Sequence, residues 1–109
     1  MAETLPKLLQ EISGQYPNNA AQYMKDAEGE FQRTDFSILY SEVCYFAAGL
    51  LSIGKKRGDH IGLISENRKE WFICDLATLS IGAVDVPRGC DSTEQEITYI
   101  LSFAECRTV

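Results

Sequence analysis

Apolar residues recur at helical spacing in four stretches of the chain, and shorter apolar runs lie between them. The first stretch follows Thr4, which can cap a helix, and is expected to end at Gly14 and Pro17. The second follows Ser37, its predicted cap, and ends at Gly54, because glycine adopts a left-handed C-cap at the least cost. Each stretch therefore predicts an amphipathic helix with one face available to a core. The apolar positions are Leu5, Leu8, Leu9 and Ile12 in the first helix, and Leu39, Val43, Phe46, Ala47, Leu50 and Leu51 in the second.

A strand–helix–strand pattern comes next in the chain. Residues 60–65 form an apolar run bounded by polar residues, and Asn67 with Glu70 resembles a capping box at the start of a third helix. Gly82 ends that helix, and residues 83–86 form a second apolar run. Short connections of this kind join parallel strands, so the pattern predicts a right-handed βαβ unit. The predicted helix is apolar around much of its circumference, at Phe72, Ile73, Leu76, Ala77, Leu79 and Ile81.

Shorter patterns complete the prediction. Residues 21–26 and 31–36, joined by a segment containing Gly29, predict a β-hairpin. A fourth helix follows the βαβ unit, and residues 106–109 begin a further strand. Two caps are available for this helix, Ser92 with Gln95 or Thr93 with Glu96. The predicted fold class is α/β, a helix and a β-hairpin followed by a partial parallel sheet with flanking helices. Because the last predicted strand is cut short, we expect a truncated piece of a larger domain with no complete domain boundary inside the chain.

Composition and charge narrow the classes of function. The chain has 109 residues, of which 45% are hydrophobic and 24% are charged, as is typical of a globular protein. Its net charge of −6, without a long basic run, argues against nucleic acid as a partner. The sequence lacks both a secretory signal pattern and an apolar run of the roughly 20 residues that a membrane span requires. We therefore predict a cytoplasmic protein without a transmembrane segment, or one peripheral to a membrane.

The cysteines and the single histidine do not form a recognisable metal site. Cys44, Cys74, Cys90 and Cys106 lie far apart in the sequence, so the close pairs typical of zinc sites are missing. We expect free thiols in a reducing compartment. His60 opens a predicted strand and has no evident acid or nucleophile partner, so a structural role is favoured over general-base catalysis.

The loop at residues 88–92 is the strongest candidate for function, because ligands of open α/β sheets bind beyond the carboxyl ends of the strands. Its structural alternative is a turn at Gly89 followed by a helix cap at Asp91 or Ser92. Arg88 lies near Cys90 and could favour its thiolate, although no histidine accompanies it. The loop is therefore a candidate by position rather than by a complete motif.

Two further segments are weaker candidates. Residues 65–68 lie at a helix start, where anions can bind, but the turn has no glycine and Glu66 repels anions. Trp71, Asp75 and Thr78 share a helix face and could line a pocket. The alternative is that Trp71 packs at the rim of the domain and Asp75 bonds to a neighbouring loop, which we favour.

Four segments of the chain resemble, in the same order, the amino-terminal part of AMP-forming acyl-CoA synthetases. This adenylate-forming superfamily includes the long-chain fatty-acid–CoA ligases. The matching segments are FSILYSEV at 36–43, RGD at 57–59, ENRKEW at 66–71 followed by DLA at 75–77, and LSIGAVDVP at 79–87, where Lys69 replaces the family's proline. The resemblance runs over nearly the whole chain and implies that residues 1–109 are the first portion of the large AMP-binding domain.

The resemblance also implies a chemistry for the parent enzyme. Such an enzyme activates a fatty acid with ATP and magnesium, forms an acyl-adenylate and transfers the acyl group to CoA. The family's phosphate loop, magnesium-binding acid, ribose-binding aspartate and catalytic lysine would lie downstream of Val109. We therefore assign no catalytic, cofactor-binding or metal-binding residue to this chain, and expect it to be inactive and to bind no cofactor by itself.

One departure from the family pattern leaves the acceptor open. Residues 88–92 read RGCDS where most CoA ligases have a second proline and a threonine-rich turn. This segment resembles the branch that contains the plastid and cyanobacterial acyl–acyl carrier protein synthetases, so the acceptor is CoA or acyl carrier protein. A self-contained, non-catalytic α/β binding module is the alternative from another class. In a truncated piece, strand edges and apolar helix faces would be uncovered, so we also expect self-association.

Overall fold

Four helices and two small sheets make up residues 2–109, the part of the chain that the computed structural model describes. This arrangement confirms the predicted α/β class. In chain order the elements are α1 (Leu5–Gln15), β1 (Ala20–Lys25), β2 (Phe31–Asp35), α2 (Phe36–Ser52), β3 (His60–Ile64), α3 (Lys69–Ser80), β4 (Val84–Arg88) and α4 (Glu94–Phe103).

The predicted β-hairpin is confirmed. Strands β1 and β2 pair in antiparallel fashion, and the carboxylate of Asp26 closes their connection by accepting hydrogen bonds from the backbone amides of Glu28 and Glu30, each at 3.0 Å. Gly29 has a φ of +81° in this turn, a conformation that L side chains rarely adopt. The second strand ends one residue earlier than predicted, because Phe36 already belongs to α2.

The predicted boundaries of the first two helices agree only in part with the structure. The Thr4 side chain accepts a hydrogen bond from the Lys7 amide, as an N-cap should, but α1 continues through Gly14. The predicted Ser37 cap is wrong, because the hairpin leads directly into α2 and places Asp35 at the N-cap position. The amide of Ser37 instead donates to the Pro17 carbonyl at 3.1 Å.

The core lies mainly between α1, α2 and α3, with one residue contributed by β3. Its buried apolar residues are Leu9, Leu39, Val43, Ala47, Leu50, Ile61, Ile73, Ala77 and Ala83. Two residues of the predicted α2 stripe, Phe46 and Leu51, are exposed because they flank the stripe rather than face the core. Helices α2 and α3 are also joined by an ion pair between Glu42 Oε1 and Lys69 Nζ at 3.1 Å.

The predicted βαβ unit is confirmed by the second sheet. Strands β3 and β4 are parallel, with α3 between them in the chain, and Ile61 is opposite Asp85. Gly82 ends α3 with a φ of +75° and so permits the chain to turn into β4. Successive residues of a strand face opposite sides of its sheet, so Ile61 faces the helical core while Gly62 faces α4. Accordingly, a Cβ atom added to Gly62 would lie 2.6 Å from Leu101 Cδ2.

The C-terminal residues only begin the predicted further strand. Thr108 forms a parallel bridge with Ile61, and its carbonyl accepts a 2.8 Å hydrogen bond from the Gly62 amide. Strand β3 therefore lies between β4 and this segment. Of the two predicted caps of α4, the capping box of Thr93 and Glu96 is the one that forms. Within residues 2–109, no helix combines the length and apolar character needed to cross a membrane.

Candidate functional site

Two connections meet at the carboxyl edge of the parallel sheet. The amide of Ser65, just after β3, donates to the carbonyl of Arg88, the last residue of β4, at 3.3 Å. The turn at residues 65–68 and the loop at residues 88–92 are therefore neighbours. Open α/β sheets bind their ligands at this kind of edge, which makes these two connections the candidate site.

Within the loop, Arg88 is tied to the start of α4. Its Nε donates to Ser92 Oγ at 3.1 Å, and its guanidinium approaches Glu96 Oε2 at 3.5 Å. The Ser92 amide donates to the Gly89 carbonyl at 3.2 Å and closes a turn. Because these bonds engage the guanidinium, Arg88 fixes the shape of the loop rather than pairing with Cys90, which is exposed.

The turn after β3 differs from its prediction. The capping box of Asn67 and Glu70 does not form, since α3 begins at Lys69 with Arg68 in the N-cap position and no side-chain cap bond. Glu70 Oε2 accepts instead from Arg68 Nε at 2.9 Å. The neighbouring guanidinium lowers the pKa of Glu70. The helix start is therefore flanked by carboxylates of Glu66 and Glu70, a poor environment for a phosphate group.

Trp71, Asp75 and Thr78, which were proposed to share a face of α3, have separate surroundings and do not line a common pocket among those described. Trp71 is partly exposed and packs edge-to-face on Phe72, with ring centroids 5.8 Å apart. Thr78 is buried. Asp75 neighbours Asp85 of β4, so its partner is a strand residue rather than the loop residue that we expected. The rim position favoured for Trp71 agrees with its partial exposure.

Asp85 is the chemically distinctive residue that the sequence pattern did not single out. Burial, followed by the neighbouring carboxyl group of Asp75, raises the pKa of Asp85 from 3.8 to about 7. Its Oδ1 is buried and has no hydrogen-bond partner among residues 2–109. The one feature that could have predicted its burial was the pairing of β4 with β3. A strand residue opposite the buried Ile61 must face the same core.

His60 contacts the backbone of a neighbouring element, and none of the four cysteines is paired in a disulfide. His60 Nδ1 hydrogen-bonds to the Ala104 carbonyl and so joins β3 to the end of α4. All four cysteines are free thiols, as predicted. Burial raises the pKa of Cys106, and burial together with the nearby carboxylates of Asp85 and Glu70 raises the pKa of Cys74. Neither thiol is therefore activated.

An apolar cavity of about 260 Å³ lies among α1, β1, α2 and α3. Leu8, Ile12 and Phe72 contribute to its wall. The one amide in the wall belongs to Gln22, whose Nε2 is buried without a hydrogen-bond partner among the described residues. Such a surface suits an apolar group that carries a hydrogen-bond acceptor rather than a charged nucleotide.

Comparison with known proteins gives a consistent result. A family model described as "AMP-binding enzyme" matches residues 9–109. The mitochondrial medium-chain acyl-CoA ligase ACSF2 of Danio rerio is 31% identical in an alignment of 109 positions that covers 99% of this chain and 17% of that relative. The long-chain-fatty-acid–CoA ligase FadD15 of Mycobacterium tuberculosis is 39% identical over 59 residues, 54% of this chain and 10% of that relative. The chain thus spans less than one fifth of the length of either relative.

The fold is also similar to that of solved structures of a protein described with adenylate analogues, Klebsiella oxytoca NpsA. The structure of Klebsiella oxytoca NpsA in complex with 3-hydroxyanthranilyl-AMSN has a TM-score of 0.89 to this chain, with 28% sequence identity. The match covers 98% of this chain and 21% of that one. The N-terminal subdomain of NpsA with anthranilyl-AMSN gives the same TM-score and identity, over 98% of this chain and 27% of that chain.

Proposed function

The chain belongs to the AMP-binding enzyme family, and from that premise we propose that it is part of an acid–thiol ligase that activates fatty acids. In the proposed reaction, ATP converts the fatty acid to an acyl-adenylate, and CoA then takes the acyl group. The observation that carries the proposal is the family match over residues 9–109, joined by two relatives that are acyl-CoA ligases.

We propose a long-chain fatty acid as the substrate. The relative named for long-chain acids has the higher identity, 39% over 59 residues. The relative named for medium-chain acids matches a longer stretch at 31%. Chain length is therefore the first property to measure, because these two similarities favour different substrates.

We propose that residues 1–109 correspond to the first portion of the large AMP-binding domain. The low coverage of each relative supports this assignment. The candidate edge lacks a glycine-rich phosphate cradle, and its turn carries Glu66 and Glu70. Among residues 2–109, no group of three His, Cys, Asp or Glu side chains is arranged to hold a metal ion. These residues do not fit ATP or magnesium, so we assign no step of the reaction to them and expect the chain alone to be inactive.

The acceptor deserves a separate proposal, because residues 88–92 depart from the common CoA-ligase pattern. CoA remains the proposed acceptor, and acyl carrier protein is the alternative suggested by the RGCDS segment. We propose a cytoplasmic location for either enzyme, with peripheral contact to membranes where its fatty acid dissolves.

Pyrophosphate exchange tests the proposal. The protein containing this chain, in its natural full length, is incubated with ATP, magnesium, labelled pyrophosphate and fatty acids of increasing length. We expect exchange that depends on the fatty acid and is greatest for long chains, whereas residues 1–109 alone give none. Exchange by residues 1–109 alone would refute the inactivity, and a folded full-length protein without exchange for any fatty acid would refute the ligase.

The acceptor is tested in a second stage with the same enzyme. Preformed acyl-adenylate is offered CoA or acyl carrier protein, and the thioester formed is measured. Faster transfer to CoA supports the main proposal. Faster transfer to the carrier protein assigns the enzyme to the alternative branch without affecting the activation step.

A further inference from the structure

A polar cavity of about 370 Å³ lies at the amino end of β3, opposite the carboxyl edge of the sheet where the candidate site lies. The loop between α2 and β3 forms one wall, and the segment after α4 forms the other. Lys55, Lys56, His60, Arg107 and Thr108 all line it. The cavity is therefore built by two segments far apart in sequence, as a binding site usually is.

Charge separates this cavity from the rest of the protein. The lining itself contains three Lys or Arg residues (Lys55, Lys56 and Arg107) and two acidic ones (Asp59 and Glu105). With Arg57, which lies in the same loop outside the lining, residues 54–60 and 105–109 contain four of the ten Lys and Arg residues and two of the sixteen Asp and Glu residues. They therefore carry a net charge of +2, whereas the remainder carries −8. A local excess of positive charge on an acidic protein attracts anions to one place.

The cationic groups of the cavity are available to a ligand. Within residues 2–109, the ion pairs involve Arg33, Arg68, Lys69 and Arg88, none of which lines the cavity. The Asp59 carboxylate accepts from the Lys56 backbone amide at 2.9 Å. Glu105 also lines the cavity but is exposed, so its carboxylate can turn into solvent.

Two hydrogen bonds hold the cavity in shape. Lys55 Nζ donates to Thr108 Oγ1 at 2.6 Å and links the two walls, while two ammonium hydrogens remain free. His60 Nδ1 donates to the Ala104 carbonyl, so Nε2 is the ring nitrogen left to contact a ligand. Lysine and arginine donors placed around one cavity suit an anion with several acceptor oxygens, which describes a phosphate group.

We propose that this basic cavity binds a phosphate group, either of a soluble phosphate compound or of a lipid headgroup. The site lies at the amino edge of the sheet, away from the connections at residues 65–68 and 88–92, and the proposal does not depend on the ligase reaction. Phosphate would bridge the α2–β3 loop and the C-terminal segment through Lys55, Lys56 and Arg107.

Titration of the isotope-labelled chain with inorganic phosphate and pyrophosphate, followed by amide NMR at constant ionic strength, tests the proposal. We expect saturable shifts at Gly58, His60 and Arg107, with the amide of Gly29 in the hairpin as an internal reference. Phosphatidylcholine vesicles with and without phosphatidic acid form the second arm. Binding to the soluble anions or only to the phosphatidic acid vesicles identifies the source of the phosphate.

Charge-removing variants decide whether the cavity is responsible. Lys56→Gln and the double variant Lys55→Gln with Arg107→Gln should weaken binding, the double variant by about tenfold or more, because hydrogen bonds between charged groups are among the stronger ones. Lys7→Gln, an exposed lysine on α1, removes the same charge elsewhere and should leave binding unchanged. Lys56 is exposed, so its variant should fold even if the double variant does not. An equal loss in Lys7→Gln, or no saturable shift in the folded chain with any probe, would overturn the proposal.

Discussion

The two faces of the β3–β4 sheet are packed to different depths. On one face, Ile61 joins a core of buried residues from α2 and α3. On the other, Gly62 meets α4, a helix in which none of the residues Glu94–Phe103 is fully buried. Tyr99 and Phe103 stack on each other along this helix, and 64% and 75% of their surfaces remain exposed.

This difference indicates which face of the sheet stabilises the fold and which face stays exposed. Burial of apolar surface is the main stabilising term in folding, so most of the stability should come from the helical face. The α4 face has its hydrogen bonds, including a complete capping box, but little buried area. Exposed aromatic patches of this kind often mark contact surfaces, in keeping with our prediction of self-association, which light scattering at increasing concentration can test.

Truncating one leucine on each face gives the largest contrast. Leu50→Ala removes a buried side chain of α2 and should lower the free energy of unfolding by about 2–4 kcal/mol. Leu101→Ala on α4 is the matched variant, and because Leu101 is only partly buried we expect about 1 kcal/mol. Urea unfolding of both variants measures the difference. Equal losses would mean that the two faces contribute alike.

The carboxyl pair on the helical face should make stability depend on pH. The pKa of Asp85 is about 7 in the folded chain, against an ordinary value of 3.8. The folded state therefore binds the proton more tightly, and stability should fall as the pH rises from about 4 to about 7, then stay constant with respect to this group. Partial exposure of Asp85 should keep the change smaller than that of Leu50→Ala.

Two variants measured by thermal unfolding across this pH range test the carboxyl pair. Asp85→Asn should remove the pH-dependent loss and exceed the wild type in stability above pH 7. Glu11→Gln, an exposed carboxyl on α1, should keep the wild-type dependence. If Asp85→Asn follows the wild-type curve, another group is responsible for any dependence on pH.

The sequence predictions succeeded where local backbone preferences decide the structure. Hydrophobic periodicity and turn residues were enough to predict the hairpin, the βαβ unit and the helix ends at Gly54 and Gly82. The Ser37 cap failed because a neighbouring element decided the outcome, since the hairpin leads directly into α2 and places Asp35 at the N-cap position. The capping box of Asn67 and Glu70 failed for a local reason, because α3 begins at Lys69 and Arg68 Nε donates to Glu70 Oε2.

The candidate site was only partly accessible to sequence reasoning. The position of residues 88–92 beyond a parallel strand was predictable, and the Ser65 amide bond to Arg88 confirms that the two connections meet. The pairing of Asp75 with Asp85 was not, because it depends on how α3 lies over β4. The basic cavity was hidden for a similar reason, since Arg107 approaches the loop of Lys55 only through the bridge between Ile61 and Thr108.

The smallest predicted effects come from two glycine substitutions, one at Gly82, just after α3, and one at Gly62, in the middle of β3 and facing α4. In Gly82→Ala, the φ of +75° is unfavourable for alanine, and the new Cβ would lie 3.0 Å from Arg57 Cγ. We expect a loss of about 1–2 kcal/mol, the cost of a left-handed residue. In Gly62→Ala the backbone is unstrained, and the 2.6 Å contact is with the end of the Leu101 side chain, which can rotate into space that α4 leaves open.

For Gly62→Ala we therefore expect a change below about 1 kcal/mol, since a flexible side chain relieves such a contact and alanine lowers the entropy of the unfolded chain. Chemical denaturation of the two alanine variants, with the amide shifts of α4 recorded for each, provides the test. Gly62→Ala should shift the α4 amides although its stability changes little. A larger loss for Gly62→Ala than for Gly82→Ala would mean that α4 is held tightly against the sheet, and the contrast between the two faces would then be wrong.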